Sequence, residues 1–90
     1  MTDAAAASDL AAKALVFIAQ DSDRIGRFLA LTGIGPADIR ERAQDPAFQG
    51  GLLDHLLTDE TLLLEFADWA EIEPSIVAEN RLKLPGAAPI

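Results

Sequence analysis

Apolar residues in this 90-residue chain recur at the spacing of one helix face, and residues that begin or end helices separate the stretches. The first face consists of Ala11, Ala14, Leu15 and Ile18. The second face consists of Ile25, Phe28, Leu29 and Thr32. Asp21 or Ser22 fits the N-cap of the second helix, because a short polar side chain there accepts hydrogen bonds from free backbone amides. Gly33 then offers a left-handed residue that ends this helix.

Proline marks the start of the next two helices. Pro36 fits the first position of a short third helix, where a missing amide hydrogen costs nothing, and Ile39 and Ala43 give that helix an apolar side. Asp45 and Pro46 begin a fourth helix in the same way. The apolar face of the fourth helix consists of Leu52, Leu53, Leu56 and Leu57.

Two further helices complete the predicted set. We expect Thr58 to cap the fifth helix, with acidic residues in the first turn where they suit the helix dipole. The apolar face of this helix consists of Leu63, Phe66, Ala67 and Ala70. Pro74 opens the sixth helix. Residues 84–90 contain two prolines and a glycine and lack helical periodicity, so we predict a flexible tail there. We also predict a flexible N-terminus over residues 1–8, with the alternative that the N-terminal alanines extend the first helix.

The two halves of the chain resemble each other when one is shifted by 38 residues. The identical pairs are Leu15/Leu53, Asp21/Asp59, Phe28/Phe66, Ile34/Ile72, Pro36/Pro74 and Glu41/Glu79. Most of these positions are helix caps, core positions or helix-starting prolines. The shift predicts two copies, residues 9–43 and 45–83, of a helix, helix and short helix unit, although any two capped helical hairpins share such features. We therefore predict one all-α domain over residues 1–90, a compact bundle of about five to six short helices.

Composition and charge exclude several classes of function. The chain has no cysteine, which removes disulfide scaffolds, thiolate metal sites and thiol nucleophiles. Its formal charge of −8 disfavours nucleic acid and anionic membranes as partners, because both bind chiefly through Lys and Arg. Nine acidic residues and no Lys or Arg lie between Arg42 and Arg81, a run more typical of a solvated face than of a docking surface. With no apolar run near the roughly 20 residues of a membrane span and no secretion signal, we expect a cytoplasmic protein.

One turn resembles a nucleic-acid-binding motif. The turn between the second and third helices has the sequence Gly33, Ile34, Gly35 and Pro36 and is similar to the turn of the helix-hairpin-helix motif. The resemblance implies that backbone amides of this turn contact a phosphate, with Arg40 and Arg42 as further contacts. The second copy has acidic residues in place of both glycines. Phosphate binding without a surrounding basic field is weak at physiological salt, so a purely architectural turn is the favoured interpretation.

No residue pattern predicts catalysis, a metal site or a bound cofactor. His55 is the only histidine and has Asp59 one turn later, but two ligands without a convincing third do not make a metal site. No nucleophile motif surrounds the serines, and no glycine-rich loop matches a phosphate cradle. We therefore expect the protein not to be an enzyme.

Several large apolar residues fall outside the predicted core faces: Phe17, Leu31, Leu62 and Trp69. In a six-helix bundle some helices are buried all round, which accounts for such residues without a partner. If they are exposed, Leu31, Leu62 and Trp69 instead form a surface for a partner protein or for self-association.

Nearly the whole chain, from Ala14 to Leu82, resembles a known family. The strings that carry the resemblance include Phe-Ile-Ala at 17–19, Arg-Phe-Leu-Ala-Leu-Thr-Gly-Ile at 27–34, Asp-Pro at 45–46 and Phe-Ala at 66–67. The family consists of small alphaproteobacterial proteins known only as a domain of unknown function. The resemblance implies a compact, cytosolic, all-helical bacterial protein and brings no activity, cofactor or site with it.

The leading hypothesis is therefore a non-enzymatic protein–protein interaction module of the bacterial cytosol. Its partner is an unidentified protein or another molecule of the same chain. The partner binds through the surface around Leu31, Leu62 and Trp69. The alternative is a weak nucleic-acid-binding module that uses the turn between Gly33 and Pro36.

Overall fold

The computed structural model describes residues 3–85, and these residues form six α-helices and one short 3₁₀ turn, with no strand among them. The helices are α1 (Asp3–Ala19), α2 (Ser22–Thr32), α3 (Ile39–Arg42), α4 (Pro46–Leu57), α5 (Glu60–Ala70) and α6 (Ser75–Arg81), and the 3₁₀ turn covers Pro36–Asp38 directly before α3. The predicted all-α class is therefore confirmed.

α1 is the helix around which the others pack, with α4 and α6 among its closest neighbours. Its buried residues are Ala7, Leu10, Ala11, Ala14, Phe17 and Ile18. The helix begins at Asp3, whereas the sequence pattern predicted a flexible segment over residues 1–8. Ala7 is fully buried and the Ser8 hydroxyl donates to the Gln49 side-chain oxygen at 2.6 Å, so this segment packs as part of the helix.

Both ends of α2 are capped as the sequence predicted. Of the two candidate N-caps, Asp21 is the one used: its carboxylate accepts from the backbone amides of Asp23 at 2.8 Å and Arg24 at 3.3 Å. Gly33 has φ of 73°, and its amide donates to the Leu29 carbonyl at 2.9 Å. Because a side chain is strained in this left-handed conformation, glycine is the residue that ends the helix at least cost.

The proline starts are also confirmed. Pro36 opens the 3₁₀ turn that leads into α3, and Pro46 is the first residue of α4. The Asp45 carboxylate caps α4 by accepting from the Ala47 amide at 3.0 Å. Among the described helices, α3 has close backbone neighbours chiefly in its own 3₁₀ turn.

The predicted cap of α5 is wrong by one residue. Asp59, not Thr58, is the N-cap: its backbone is extended and its carboxylate accepts from the Leu62 amide at 3.2 Å. Thr58 has helical backbone angles, and its hydroxyl donates to the His55 carbonyl at 3.0 Å. Thr58 therefore ends α4, since an N-cap requires a non-helical residue.

A single apolar core joins α1, α2, α4, α5 and α6. The largest side chains that are fully buried in it are Phe28, Phe66, Ile18, Leu52, Leu53, Leu56 and Val77. Phenylalanine pairs pack edge to face, with ring centroids 5.5 Å apart for Phe17 and Phe66 and 5.9 Å for Phe28 and Phe48. No helix among residues 3–85 combines the length and apolarity needed to cross a bilayer.

The helix bounds can be compared under the predicted 38-residue shift. α2 and α5 each have 11 residues, from Ser22 to Thr32 and from Glu60 to Ala70, so both ends lie 38 positions apart. Gly33 and Glu71, the left-handed residues that end these helices, are also 38 apart. The duplication itself remains a prediction.

The C-terminal end of the described chain is held by Arg81. Its guanidinium, with 8% of the side chain exposed, donates from Nε to Asp54 Oδ1 at 2.7 Å and from Nη2 to Asp54 Oδ2 at 3.0 Å. Nη1 donates to the carbonyls of Leu84 at 3.2 Å and Pro85 at 3.1 Å. Leu84 is buried in the core, so the predicted tail begins later than residue 84, and its residues 86–90 lie outside the described part of the chain.

Candidate functional site

An open, mainly apolar concavity lies between α1, α2 and α3. It has a volume of about 690 Å³. The residues that line it are Leu15, Val16, Ala19, Ile25, Leu29, Pro36, Ile39, Arg40, Ala43 and Gln44. Arg40 is the one charged residue among them. We call this surface the α1–α3 groove.

The groove exists because α1 carries apolar side chains beyond its core face. Val16, outside that face, is 51% exposed, and Leu15, on that face, is half-buried and packs against the core. α3 is attached through Gln49, whose side-chain amide donates to the Ala43 carbonyl at 3.0 Å. Gln49 also accepts from Ser8 on α1, so one buried side chain holds α3 beside α1 and α4 at a fixed distance.

The groove continues along α1 toward its N-terminal half. A second cavity of about 320 Å³ shares Leu15, Val16, Ala43 and Gln44 with the first. It extends to Ser8 and Asp9. From Ser8 to Ala19 α1 rises roughly 16 Å, so the combined groove is about three helical turns long. Its charged lining residues are Asp9 toward one end and Arg40 toward the other.

The three residues predicted as a partner surface occupy different environments. Leu31 is 66% exposed and Trp69 is 41% exposed, whereas Leu62 is half-buried and packs against the core. The Trp69 ring lies 5.4 Å from the Phe17 ring, which is itself buried. Leu31 lies near the C-terminal end of α2, whereas Leu62 and Trp69 lie on α5, and Leu62 lines a cleft whose lining includes neither of the other two.

The predicted phosphate-contacting turn does not bring its residues together either. Arg40 lines the α1–α3 groove, whereas Arg42 lines a separate cavity beside Phe28. A Cβ on Gly35 would lie 3.2 Å from a carboxylate oxygen of Asp38, so a negative charge already stands beside the helix start. This arrangement favours the architectural interpretation of the turn.

His55 lies in a charged cleft of about 390 Å³ formed by α2, α4 and α5. Its ring packs edge to face on Phe28, with centroids 5.1 Å apart. Burial lowers the pKa of His55, the positive charge of Arg27 lowers it further, and Asp59 opposes both effects. Ion pairs Arg24–Glu65 at 2.9 Å and Arg27–Asp59 at 3.9 Å occupy the same cleft.

The positive and negative side chains of this cleft lie in pairs. Arg24 donates to Glu65 and Arg27 lies 3.9 Å from Asp59, so each arginine has a carboxylate beside it that opposes the binding of an anionic ligand. Within residues 3–85 no group of three or more His, Asp or Glu side chains could hold a metal ion.

These observations define a small all-helical bundle with an apolar groove on one side and a charged cleft on another. The chain belongs to the family described as Protein of unknown function (DUF3572), which matches residues 4–87, and the predicted resemblance to a domain of unknown function is confirmed. No curated protein and no solved structure matches the chain.

Apart from Arg40, which was predicted as a phosphate contact, the residues of the α1–α3 groove were not predicted as a site. The position of Val16 and Ala19 outside the predicted core face of α1 is the feature of the sequence that indicates the groove. This feature alone does not distinguish exposed from buried residues, because Phe17 also falls outside that face and is buried.

Proposed function

We propose that the chain is a non-enzymatic protein–protein interaction module, and that the α1–α3 groove binds an amphipathic helix of a partner protein. The observation that supports this proposal is an open groove of about 690 Å³ in which nine of the ten lining residues are uncharged. Covering apolar surface of this kind removes it from water, which is the main favourable term in most protein association.

The dimensions of the groove support a helix as the occupant. A groove about three helical turns long accommodates a helix that presents apolar residues at i, i+3 or i+4, and i+7. Residues of this kind would contact Val16, Ile25 and Ile39, which lie on three different walls of the groove.

The charges of the groove favour one direction of the bound helix. Asp9 stands toward one end and Arg40 toward the other. A helix carries partial positive charge at its N-terminus and partial negative charge at its C-terminus. The favoured orientation therefore places the N-terminus of the partner helix near Asp9 and its C-terminus, with acidic residues, near Arg40.

A displayed library of 16-residue helical peptides tests this proposal. We expect the selected peptides to share apolar residues on one face and carboxylates near the C-terminal end. Their affinity for the purified 90-residue chain is then measured by fluorescence anisotropy. Val16→Glu places a charge in the groove and should weaken binding at least tenfold, because a carboxylate would have to be buried without a partner.

Leu82→Glu is the matched control. Leu82 is 75% exposed and is not one of the groove residues, so the same chemical change there should alter affinity less than twofold. A library that yields no binder, or binders with equal affinity for the wild type and for Val16→Glu, would contradict the proposal. Circular dichroism of both variants checks that the helices are retained.

A further inference from the structure

A second surface lies on the side of α5 that faces away from the core. Its exposed residues are Glu60, Thr61, Leu64, Glu65, Asp68 and Trp69. These positions follow one another at i, i+1, i+4, i+5, i+8 and i+9, so they form one continuous stripe along the helix. Two large apolar side chains, Leu64 at 49% exposure and Trp69 at 41%, therefore lie among three carboxylates. We call this stripe the α5 face.

The α5 face carries uncompensated negative charge. Glu65 accepts from Arg24 at 2.9 Å, and the Arg24 guanidinium also lies 4.1 Å from the centre of the Phe17 ring. Glu60 and Asp68 have no ion-pair partner among residues 3–85. The sequence between Arg42 and Arg81 contains no Lys or Arg that could supply one from a neighbouring turn.

Trp69 is held in a fixed position on this face. One side of the indole packs against two rings, with centroids 5.4 Å from Phe17 and 6.1 Å from Phe66. The part that remains exposed is thus already ordered before any partner arrives. An ordered, half-exposed indole binds cations well and is typical of residues that dominate protein interfaces.

We propose that the α5 face binds a basic amphipathic segment of a partner protein. In this arrangement Lys or Arg side chains of the segment pair with Glu60 and Asp68, and its apolar side chains cover Leu64 and Trp69. Charge complementarity selects the occupant, because a neutral or acidic segment would leave these carboxylates beside an apolar contact without counter-charges. This proposal uses different residues from the α1–α3 groove and does not depend on it.

The test uses Trp69 as its own reporter, because it is the only tryptophan in the chain. The probe is a 14-residue amphipathic peptide of leucine and lysine, and the matched probe has every lysine replaced by glutamate. We expect the lysine peptide to shift the emission maximum of Trp69 and the glutamate peptide to leave it unchanged. Raising the salt from about 0.05 to 0.3 M should weaken the binding, since exposed charge pairs are screened.

Paired variants separate this face from the general acidity of the protein. Glu60→Gln with Asp68→Asn should weaken binding of the lysine peptide about five- to tenfold at low salt, as expected for the loss of two exposed charge pairs. Glu41→Gln with Glu79→Gln removes the same charge from exposed positions on α3 and α6, and should change the affinity less than twofold.

Two more variants complete the experiment. Leu64→Ser should weaken binding about threefold or more, because it removes apolar contact without changing charge. Leu82→Ser makes the same change at a leucine that is 75% exposed and belongs to neither surface, and it should change the affinity of the lysine peptide less than twofold. An unshifted Trp69 emission, or equal weakening by the two charge-neutralising pairs, would overturn the assignment of this face.

Discussion

Arg81 offers the sharpest test of how this small bundle is stabilised. Replacing it by alanine removes a guanidinium that is bound by two nitrogens to Asp54 and by a third to the carbonyls of Leu84 and Pro85. The guanidinium also rests against Gly50, where a Cβ would lie 3.0 Å from the Arg81 Cζ. The substitution therefore acts on both packing and hydrogen bonding between α6 and α4.

The expected cost follows from these contacts. Two buried methylenes contribute about 1.6 kcal/mol to the free energy of unfolding. The charge-assisted hydrogen bonds to Asp54 contribute about 1 kcal/mol, a low value for such bonds, because the Asp54 side chain is 53% exposed and partly screened by water. The Pro85 carbonyl is freed at little cost because Pro85 is exposed, and the buried Leu84 carbonyl can bond to water that enters the space left by the guanidinium. Arg81→Ala should therefore destabilise the protein by roughly 2–3 kcal/mol.

Urea unfolding followed by circular dichroism measures this effect. For a domain of this size the dependence on urea is about 1 kcal/mol per molar or somewhat more, so the midpoint should fall by about 2 M. Lys83→Ala, at an exposed position two residues later, is the control and should leave the midpoint within about 0.5 M. An Arg81→Ala variant that unfolds together with the control would refute the claim that this residue stabilises the C-terminal end.

Two further predictions concern Glu71 and His55. Glu71→Gly should raise the thermal midpoint by the equivalent of about 0.5–1 kcal/mol, because Glu71 has φ of 57° and places a carboxylate at the negative end of α5; a lower midpoint would contradict this. Burial lowers the pKa of His55, Arg27 lowers it further, and Asp59 opposes both effects. The stability that depends on the neutral imidazole is therefore present above the ordinary pKa of 6.5, and it is lost as the pH falls through the pKa of the folded state. In urea unfolding at pH 7.5 and pH 5, His55→Gln should therefore lose less stability on acidification than the wild type, and equal losses would show that the imidazole is not the cause.

Helix starts and ends could be predicted where one residue decides them locally. Asp21, Gly33 and Pro46 act through hydrogen bonds or backbone angles within a few positions of themselves, so their roles are visible in the sequence alone. Thr58 and Asp59 show the limit of this reasoning. Both side chains can cap a helix, and the choice depends on which of the two leaves the helical backbone conformation, which the pattern does not specify.

The binding surfaces depended on contacts between distant segments and were predicted less well. Whether an apolar residue outside the core face is covered depends on which helices stand beside it. Phe17 is buried against Phe66 of α5, whereas Val16, its neighbour in the chain, is half-exposed and lines the groove. On α5, Leu62 was predicted to lie on the surface with Trp69. Leu62 is half-buried, and the exposed leucine is Leu64.

The attachment of α3 also sets how the protein responds to thermal fluctuation. A four-residue helix with few close backbone neighbours has little free energy holding it in place, so its amide hydrogens should exchange with solvent well before those of α1 and α4. The hydrogen bond from Gln49 to the Ala43 carbonyl would have to break when α3 unfolds locally. One wall of the groove is thus formed by a helix with few close neighbours, while α1 opposite it is packed into the core. α3 can therefore shift to fit the side chains of a bound partner helix without disturbing the core.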